Sequence, residues 1–235
     1  NVEGTSLKNG NSSSSTATGG LAGYVTNTSI TNCHTRYTGE ICATYDNAGG
    51  LVGYVNGRSR IVGCSASAAV TSGHDYAGGL VGIVRQGGII SHSFCDSNEK
   101  LVEAKNFYAG GLAGAVYDAD IDYCYSWADA KATRYAGGLI GRYESAVGTN
   151  ELSYNYAAGE NVEGGANTGG IAGYIAIRPG APNRCYWNSD LGPGFVGTFT
   201  GGENSSFTLT KTLAAMNNVL NALNKDLPEG EWELT

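Results

Sequence analysis

The chain has 235 residues, 37 of them glycine and only 4 proline, with 41% hydrophobic residues, 15% charged residues and a formal net charge of −7. That acidic balance excludes nucleic acid and anionic membranes as partners, because both need a basic face. No apolar run of about 18 residues is present to insert into a bilayer, and the glycines recur in register, which excludes a disordered low-complexity chain.

The chain opens Asn1-Val2-Glu3, without methionine or a secretory signal, and is expected to be a processed or trimmed piece of a larger chain. Next comes Gly19-Gly20-Leu21-Ala22-Gly23, which is written five more times: Gly49-Gly50-Leu51-Val52-Gly53, Gly78-Gly79-Leu80-Val81-Gly82, Gly110-Gly111-Leu112-Ala113-Gly114, Gly137-Gly138-Leu139-Ile140-Gly141 and Gly169-Gly170-Ile171-Ala172-Gly173. First glycines of successive copies lie 27 to 32 residues apart. A period of that length is the mark of a stacked repeat architecture.

Each repeat is expected to hold three short strands. One follows the glycine pair, as in Leu51-Val52-Gly53-Tyr54-Val55. The second surrounds an aliphatic residue and a cysteine, as in Ile30-Thr31-Asn32-Cys33, Ile61-Val62-Gly63-Cys64 and Ile121-Asp122-Tyr123-Cys124. The third is rich in Ala and Val, as in Ala68-Ala69-Val70 and Leu101-Val102-Glu103-Ala104. Apolar residues alternate with a spacing near two, which fits strands and no helix. Three strands per turn of ~30 residues predict an all-β parallel β-helix of about six coils.

Stacking then places Leu21, Leu51, Leu80, Leu112, Leu139 and Ile171 in one inward file. Val25, Val55, Val84, Val116 and Ile175 form another, interrupted by Tyr143. The glycine pair is expected at a tight corner, either with φ > 0 or in close approach to a neighbour. The residue after the Leu (Ala22, Val52, Val81, Ala113, Ile140, Ala172) is also apolar, so this strand needs either a cover or tolerance of small side chains outside.

After about Asn188 the repeat fades into a Gly- and Thr-rich stretch. Leu213, Met216, Leu220 and Leu223 then recur at helical spacing, with Thr212 as N-cap and Pro228-Glu229-Gly230 as the stop. Open solenoid ends need covering. Residues 1–200 are therefore read as the β-helix, and 201–235 as a small helical cap or the start of the next module.

The pentads carry a resemblance. The chain resembles the GLUG-motif repeat family, whose core stands here as Gly20-Leu21-Ala22-Gly23 and its counterparts, with Ile171 replacing Leu in the last. The resemblance covers roughly residues 17 to 190. It implies a right-handed β-helix in an exported bacterial cell-surface protein, of the kind found in adhesin-like proteins of gut Bacteroidetes and beside immunoglobulin A metallopeptidase domains. It implies no peptidase activity and transfers no ligand residues.

Five of the six cysteines, Cys33, Cys64, Cys95, Cys124 and Cys185, follow the repeat, with Asn155 in the skipped copy; Cys42 stands apart. Such a column suits compact, buried free thiols. In-register side chains point the same way and are badly placed for a disulfide. Asp118, Asp120 and Asp122 alternate through a turn, a spacing within reach of calcium, but no EF-hand glycine or late glutamate follows, so a solvated acidic turn is expected. His34, His74 and His92 lie in separate coils without His-Glu-x-x-His, which reads as three surface residues. Gly192-Pro193-Gly194-Phe195-Val196-Gly197 matches G-x-G-x-x-G without the strand and helix that a dinucleotide site needs. Arg58, Arg60, Arg85, Arg142, Arg178 and Arg184 could make a loose basic strip.

The tyrosines are the candidate binding residues. Tyr76, Tyr108 and Tyr135 each precede a glycine pair by two positions, and Tyr24, Tyr54 and Tyr174 each follow a third glycine. Exposed aromatic files stack on sugar rings or contact a protein; alternatively the rings cover the wall and one another. The expectation is a non-enzymatic repeat module, extracellular or on the bacterial cell surface, active in adhesion or in binding a host or matrix glycan or protein. It is expected to be monomeric within its larger chain, with no cofactor, metal or catalytic residue. The alternatives are a polysaccharide-active β-helix lyase or hydrolase and a passive spacer of a large surface protease.

Overall fold

The computed structural model describes residues 1–10, 16–97, 100–146, 150–177, 185–187, 194 and 196–200. Among them every regular element is a β-strand, and the strands pair in parallel from one coil to the next. The result is the expected β-solenoid, with four walls. In one coil they are Tyr76–Gly78, Val81–Arg85, Ile89–Ser91, and then Phe94–Cys95 with Leu101–Ala104. These walls belong to sheets of 6, 7, 5 and 11 strands. The last three walls are the three strands read from the sequence. The first wall, two or three residues per coil, is too short to show an alternating pattern.

The pentad sits between the first and second walls, and it explains its own glycines. None of the described glycines with positive φ (Gly57, Gly63, Gly87) belongs to a pentad, so close approach is the cause. A β-carbon on Gly78 would stand 2.7 Å from the backbone nitrogen of Gly114, and one on Gly53 would stand 2.8 Å from the carbonyl of Asn47. First and third glycines thus let two walls meet backbone to backbone. Second glycines face the opposite side: a β-carbon on Gly50 would lie 2.7 Å from Ala66 Cβ, and one on Gly79 would overlap Cys95 Sγ. Each pentad therefore reaches across the interior toward the fourth wall.

That inward reach divides the apolar interior in two. The larger core holds Leu51, Val52, Val55, Ile61 and their counterparts. The smaller holds Ala48, Ala77, Ala109 and Ala136 of the first wall against Ile41, Val70, Val102 and Ala130 of the fourth. Leu51, Leu80, Leu112, Leu139 and Ile171 are fully buried, and backbone hydrogen bonds tie each to the next, from Leu51 N–H to the Leu80 carbonyl at 2.8 Å through Leu139 N–H to the Ile171 carbonyl at 3.1 Å. Burying one such side chain contributes about 1.5–3 kcal/mol. Leu21, in the first of these coils, is 38% exposed.

Two sequence expectations change. Val52, Val81, Ile140 and Ala172 need neither a cover nor tolerance outside: the chain bends over Gly50-Leu51, so both Leu51 and Val52 enter the larger core. Tyr143 does not interrupt its file. It pairs between Val116 and Ile175, is 1% exposed, and donates its hydroxyl to the Ala119 carbonyl at 3.3 Å. Val196–Thr200, within the 1–200 read as β-helix, adds a rung to Ala172–Ile177 although the sequence repeat has faded there. The helix expected over 212–223, with the whole 201–235 unit, lies outside the described residues.

Candidate functional site

Among the described residues, each corner from the third to the fourth wall contains a left-handed residue: Asn32, Gly63, His92, Tyr123 and Tyr154, with φ between 49° and 62°. Such a turn takes a backbone N–H and carbonyl off the regular ladder, and buried polar groups left unpaired are costly. The next residue answers both. Cys33 N–H donates to Cys64 Sγ at 3.4 Å, Cys64 N–H to Ser93 Oγ at 3.0 Å, and Cys124 N–H to Asn155 Oδ1 at 2.9 Å. In return Ser93 Oγ donates to the Ser91 carbonyl at 2.8 Å, Cys124 Sγ to the Asp122 carbonyl at 3.1 Å and Asn155 Nδ2 to the Ile121 carbonyl at 2.9 Å.

The file is therefore Cys33, Cys64, Ser93, Cys124, Asn155 and Cys185, a polar spine and not merely a column of compact hydrophobes. Cys95, placed in this column from its spacing, belongs elsewhere: it pairs with Ala66 and Ser126 in the fourth wall and packs under Gly79. All six cysteines are free, with Cys33 and Cys42 half-buried and the others buried. Burial raises the Cys95 and Cys185 thiols to about 12.

The candidate tyrosines fall into the expected files. Tyr76, Tyr108 and Tyr135 occupy consecutive rungs, with ring centroids 5.4 and 5.2 Å apart and planes within 19°. Tyr24 and Tyr54 stack at 5.0 Å. Tyr174 shares their file but is separated from them by Ile83, Ala115 and Arg142. Rings stacked along the solenoid axis cover each other's faces and turn edges and hydroxyls outward. Tyr108 is only 8% exposed, whereas Tyr24 is 55% exposed.

The first and second walls face each other over the Tyr76–Tyr108–Tyr135 file. Arg142 reaches across to donate to the Tyr108 hydroxyl at 2.8 Å and to Glu144 Oε2 at 2.5 Å. Its guanidinium also lies 5.1 Å from the Tyr174 ring centroid and 5.4 Å from that of Tyr117, within cation–π range. Arg85 sits 4.4 Å over the other side of this cluster, on Tyr117. Burial, with Tyr76 beside it, pushes the Tyr117 phenol well up. This is a packed aromatic–arginine seam.

Two further aromatic files were not foreseen. His92, Tyr123 and Tyr154 stack at 4.9 and 4.7 Å. Phe94, Tyr125, Tyr156 and Tyr186 share one register of the fourth wall. The signal was present: aromatic–small–aromatic triplets flank the spine residue in His92-Ser93-Phe94, Tyr123-Cys124-Tyr125 and Tyr154-Asn155-Tyr156.

The other candidates disperse. Asp118 Oδ1 accepts from Ala146 N–H at 2.7 Å, and Asp120 Oδ1 accepts from Glu151 N–H at 3.0 Å, so these two carboxylates cap the following loop. Burial raises Asp122, next to His92. His34 pairs with Ser65 Oγ at 2.8 Å. Arg60 falls in the third-wall file and Arg142 in the second, so they share no strip; Arg178 and Arg184 lie outside the described residues, as does most of the Gly192 to Gly197 segment. Among the described residues one set of His and Asp donor atoms does converge, from Asp46, His74 and Asp75.

Four parallel walls, in-register files and a corner pentad define a β-solenoid repeat protein. Residues 14–35, which contain the first pentad, match the family model of the GLUG motif, consistent with a GLUG-motif repeat family. Neither a curated protein nor a solved structure matches the chain.

Proposed function

We propose that this chain is a non-enzymatic repeat module of a bacterial cell-surface protein, a stiff rod segment that carries adhesion or extracellular glycan or protein binding on its lateral faces. The observation that carries this reading is the unbroken register from Tyr24 to Thr198 in the second wall. Each coil docks on the next through backbone ladders, which stiffens the rod along its axis and lines up equivalent positions of successive coils in files. The GLUG resemblance supports an exported, surface setting.

A glycan array combined with a reducing-sugar and uronate-absorbance assay tests it. Saturable binding without turnover is expected. Turnover of any polysaccharide overturns the non-enzymatic part, and silence in both leaves a spacer and removes the binding part. Tyr24→Ala is the informative variant, because Tyr24, 55% exposed, is the most open of the candidate tyrosines.

A further inference from the structure

One side-chain cluster is not a product of the repeat. The loop from the fourth wall into the first carries Asp46 in one coil and His74-Asp75 in the next. Two coils on, the same loop positions hold Asn106 and Phe107, then Thr133 and Arg134. Asp46 and Asp75 hold the same loop position in consecutive coils, but the later coils replace it with Phe107 and Arg134, so the cluster with His74 is confined to these two coils.

The three side chains converge. His74 Nδ1 lies 2.6 Å from Asp75 Oδ1 and 3.5 Å from Asp46 Oδ1, and the three atoms all lie within 4.8 Å of one another. All three are buried and none is aligned as a hydrogen bond. The Asp46 side chain is only 9% exposed, and its Oδ1, without an aligned hydrogen bond, is aimed at the imidazole. Burial raises both carboxyls and Asp75 raises Asp46 further, while the His74 imidazole between them pulls both back down. Two carboxylates at this spacing need a shared cation, which is either the protonated imidazole itself or a metal ion in the place of its Nδ1 proton.

The surroundings hold the donors in place. His74 N–H donates to the Tyr45 carbonyl at 2.8 Å, and Tyr108 N–H donates to the Asp75 carbonyl at 2.8 Å. The His74 ring stacks on Tyr45 at 4.8 Å. On its far side Asn106 Nδ2 lies 3.2 Å from His74 Nε2. With that amide turned, Asn106 Oδ1 accepts the Nε2 proton and leaves the Nδ1 lone pair free, the outer hydrogen bond that metal-bound histidines use. The His74 side chain is 37% exposed, which gives an entry path and room for a water ligand.

We propose that Asp46, His74 and Asp75 form a divalent transition-metal site of the zinc class that staples two consecutive coils. One imidazole nitrogen and two carboxylate oxygens suit Zn2+ and its neighbours better than Mg2+ or Ca2+, which take oxygen ligands alone. Zinc bonds of about 2.0–2.2 Å place tetrahedral donors roughly 3.3 Å apart. The Asp46–His74 spacing of 3.5 Å already fits, and the Asp75–His74 contact of 2.6 Å opens by about 0.7 Å to admit the ion.

The test is calorimetric titration of the metal-stripped chain with zinc sulfate, in a Cys33→Ser, Cys42→Ser background that removes the accessible thiols. One Zn2+ per chain is expected, with a rise in Tm of roughly 5 °C at a hundredfold excess over Kd and at least a tenfold loss of affinity in Asp46→Asn and His74→Gln. A long-range 15N correlation on the unmutated site guards against misfolded variants: His74 Nδ1 must shift on addition of zinc, with Nε2 keeping its proton. No saturable zinc, or zinc binding that leaves the His74 nitrogens unmoved, overturns the proposal.

Discussion

Asn155 Oδ1 accepts the backbone N–H of Cys124 at 2.9 Å, across the boundary between two coils, while Asn155 Nδ2 donates to the Ile121 carbonyl. A side chain thereby repairs the ladder where Tyr123 adopts φ 51°. Cysteine, serine and asparagine are interchangeable along this spine because each offers a small acceptor with a donor on the same group. Cys124→Ser should therefore cost about 1 kcal/mol or less, whereas Asn155→Leu should cost about 2–4 kcal/mol by leaving two buried backbone groups unpaired. Urea unfolding of the two variants checks this; equal losses would show that the spine acts by volume alone.

Gly79→Ala probes the pentad differently. The added methyl would overlap Cys95 Sγ and the Gly111 carbonyl, and the backbone on that side cannot retreat without breaking the second wall. A loss of about 3 kcal/mol or more is expected, the upper end for overpacking. Gly79→Ala combined with Cys95→Ala should recover only the side-chain share of that loss. Full recovery would place the whole constraint on the cysteine and none on the backbone.

How much of this was legible in the sequence follows from what repeats. The pentads and the Leu51 file were readable because glycine, leucine and spacing recur together. Cys95 was misplaced by two residues because coil lengths vary, and Ser93 is chemically equivalent to cysteine in the spine but does not look like one. Tyr143 read as an interruption because it breaks a file of Val and Ile, yet one coil of the larger core has room for a ring. Asp46 and His74 were invisible as a pair because their proximity exists only once two coils stack. The tyrosine files were placed correctly, but that stacked rings hide their faces is a property of the rung spacing and not of composition.

Stability should fall with rising pH above about 9. The Cys95 and Cys185 thiols are raised by burial from 9.0 to about 12 in the folded chain, so the folded state keeps protons that the unfolded state releases. Their contribution is fully present below pH 9 and is lost progressively as pH climbs toward 12, on the order of 1.4 kcal/mol per thiol per pH unit. Burial pushes the Tyr143 phenol up as well, which adds to the same trend above pH 10. Urea midpoints at pH 8, 9 and 10 measure it, and Cys95→Ala with Cys185→Ala should lessen the slope between 9 and 10 without abolishing it, because burial also raises the Cys124 and Cys64 thiols. A midpoint independent of pH over that range would mean that neither thiol is buried as described. The same burial predicts that a thiol reagent labels Cys33 and Cys42 in the folded chain and reaches Cys64, Cys95, Cys124 and Cys185 only on unfolding.

The aromatic–arginine seam separates structural rings from available ones. Tyr108→Phe keeps both stacks and removes only the hydroxyl that Arg142 contacts, so a loss of about 1–2 kcal/mol is expected. Tyr108→Ala removes a buried ring between Tyr76 and Tyr135 and should cost about 3–5 kcal/mol. Arg142→Met should fall between them, because the guanidinium serves Tyr108, Tyr117 and Tyr174 together. Tyr24→Ala, at an exposed ring with one stacked neighbour, should change stability by about 1 kcal/mol or less. The two tyrosines therefore separate on two axes: Tyr108 is expected to matter for stability, and Tyr24, on the proposed binding function, for ring-face contact with a ligand. Thermal unfolding and ligand titration on the same four variants measure both. If Tyr108→Phe weakened ligand binding while Tyr24→Ala left it intact, the hydroxyl edge of the seam would be the contact surface and the exposed ring would not.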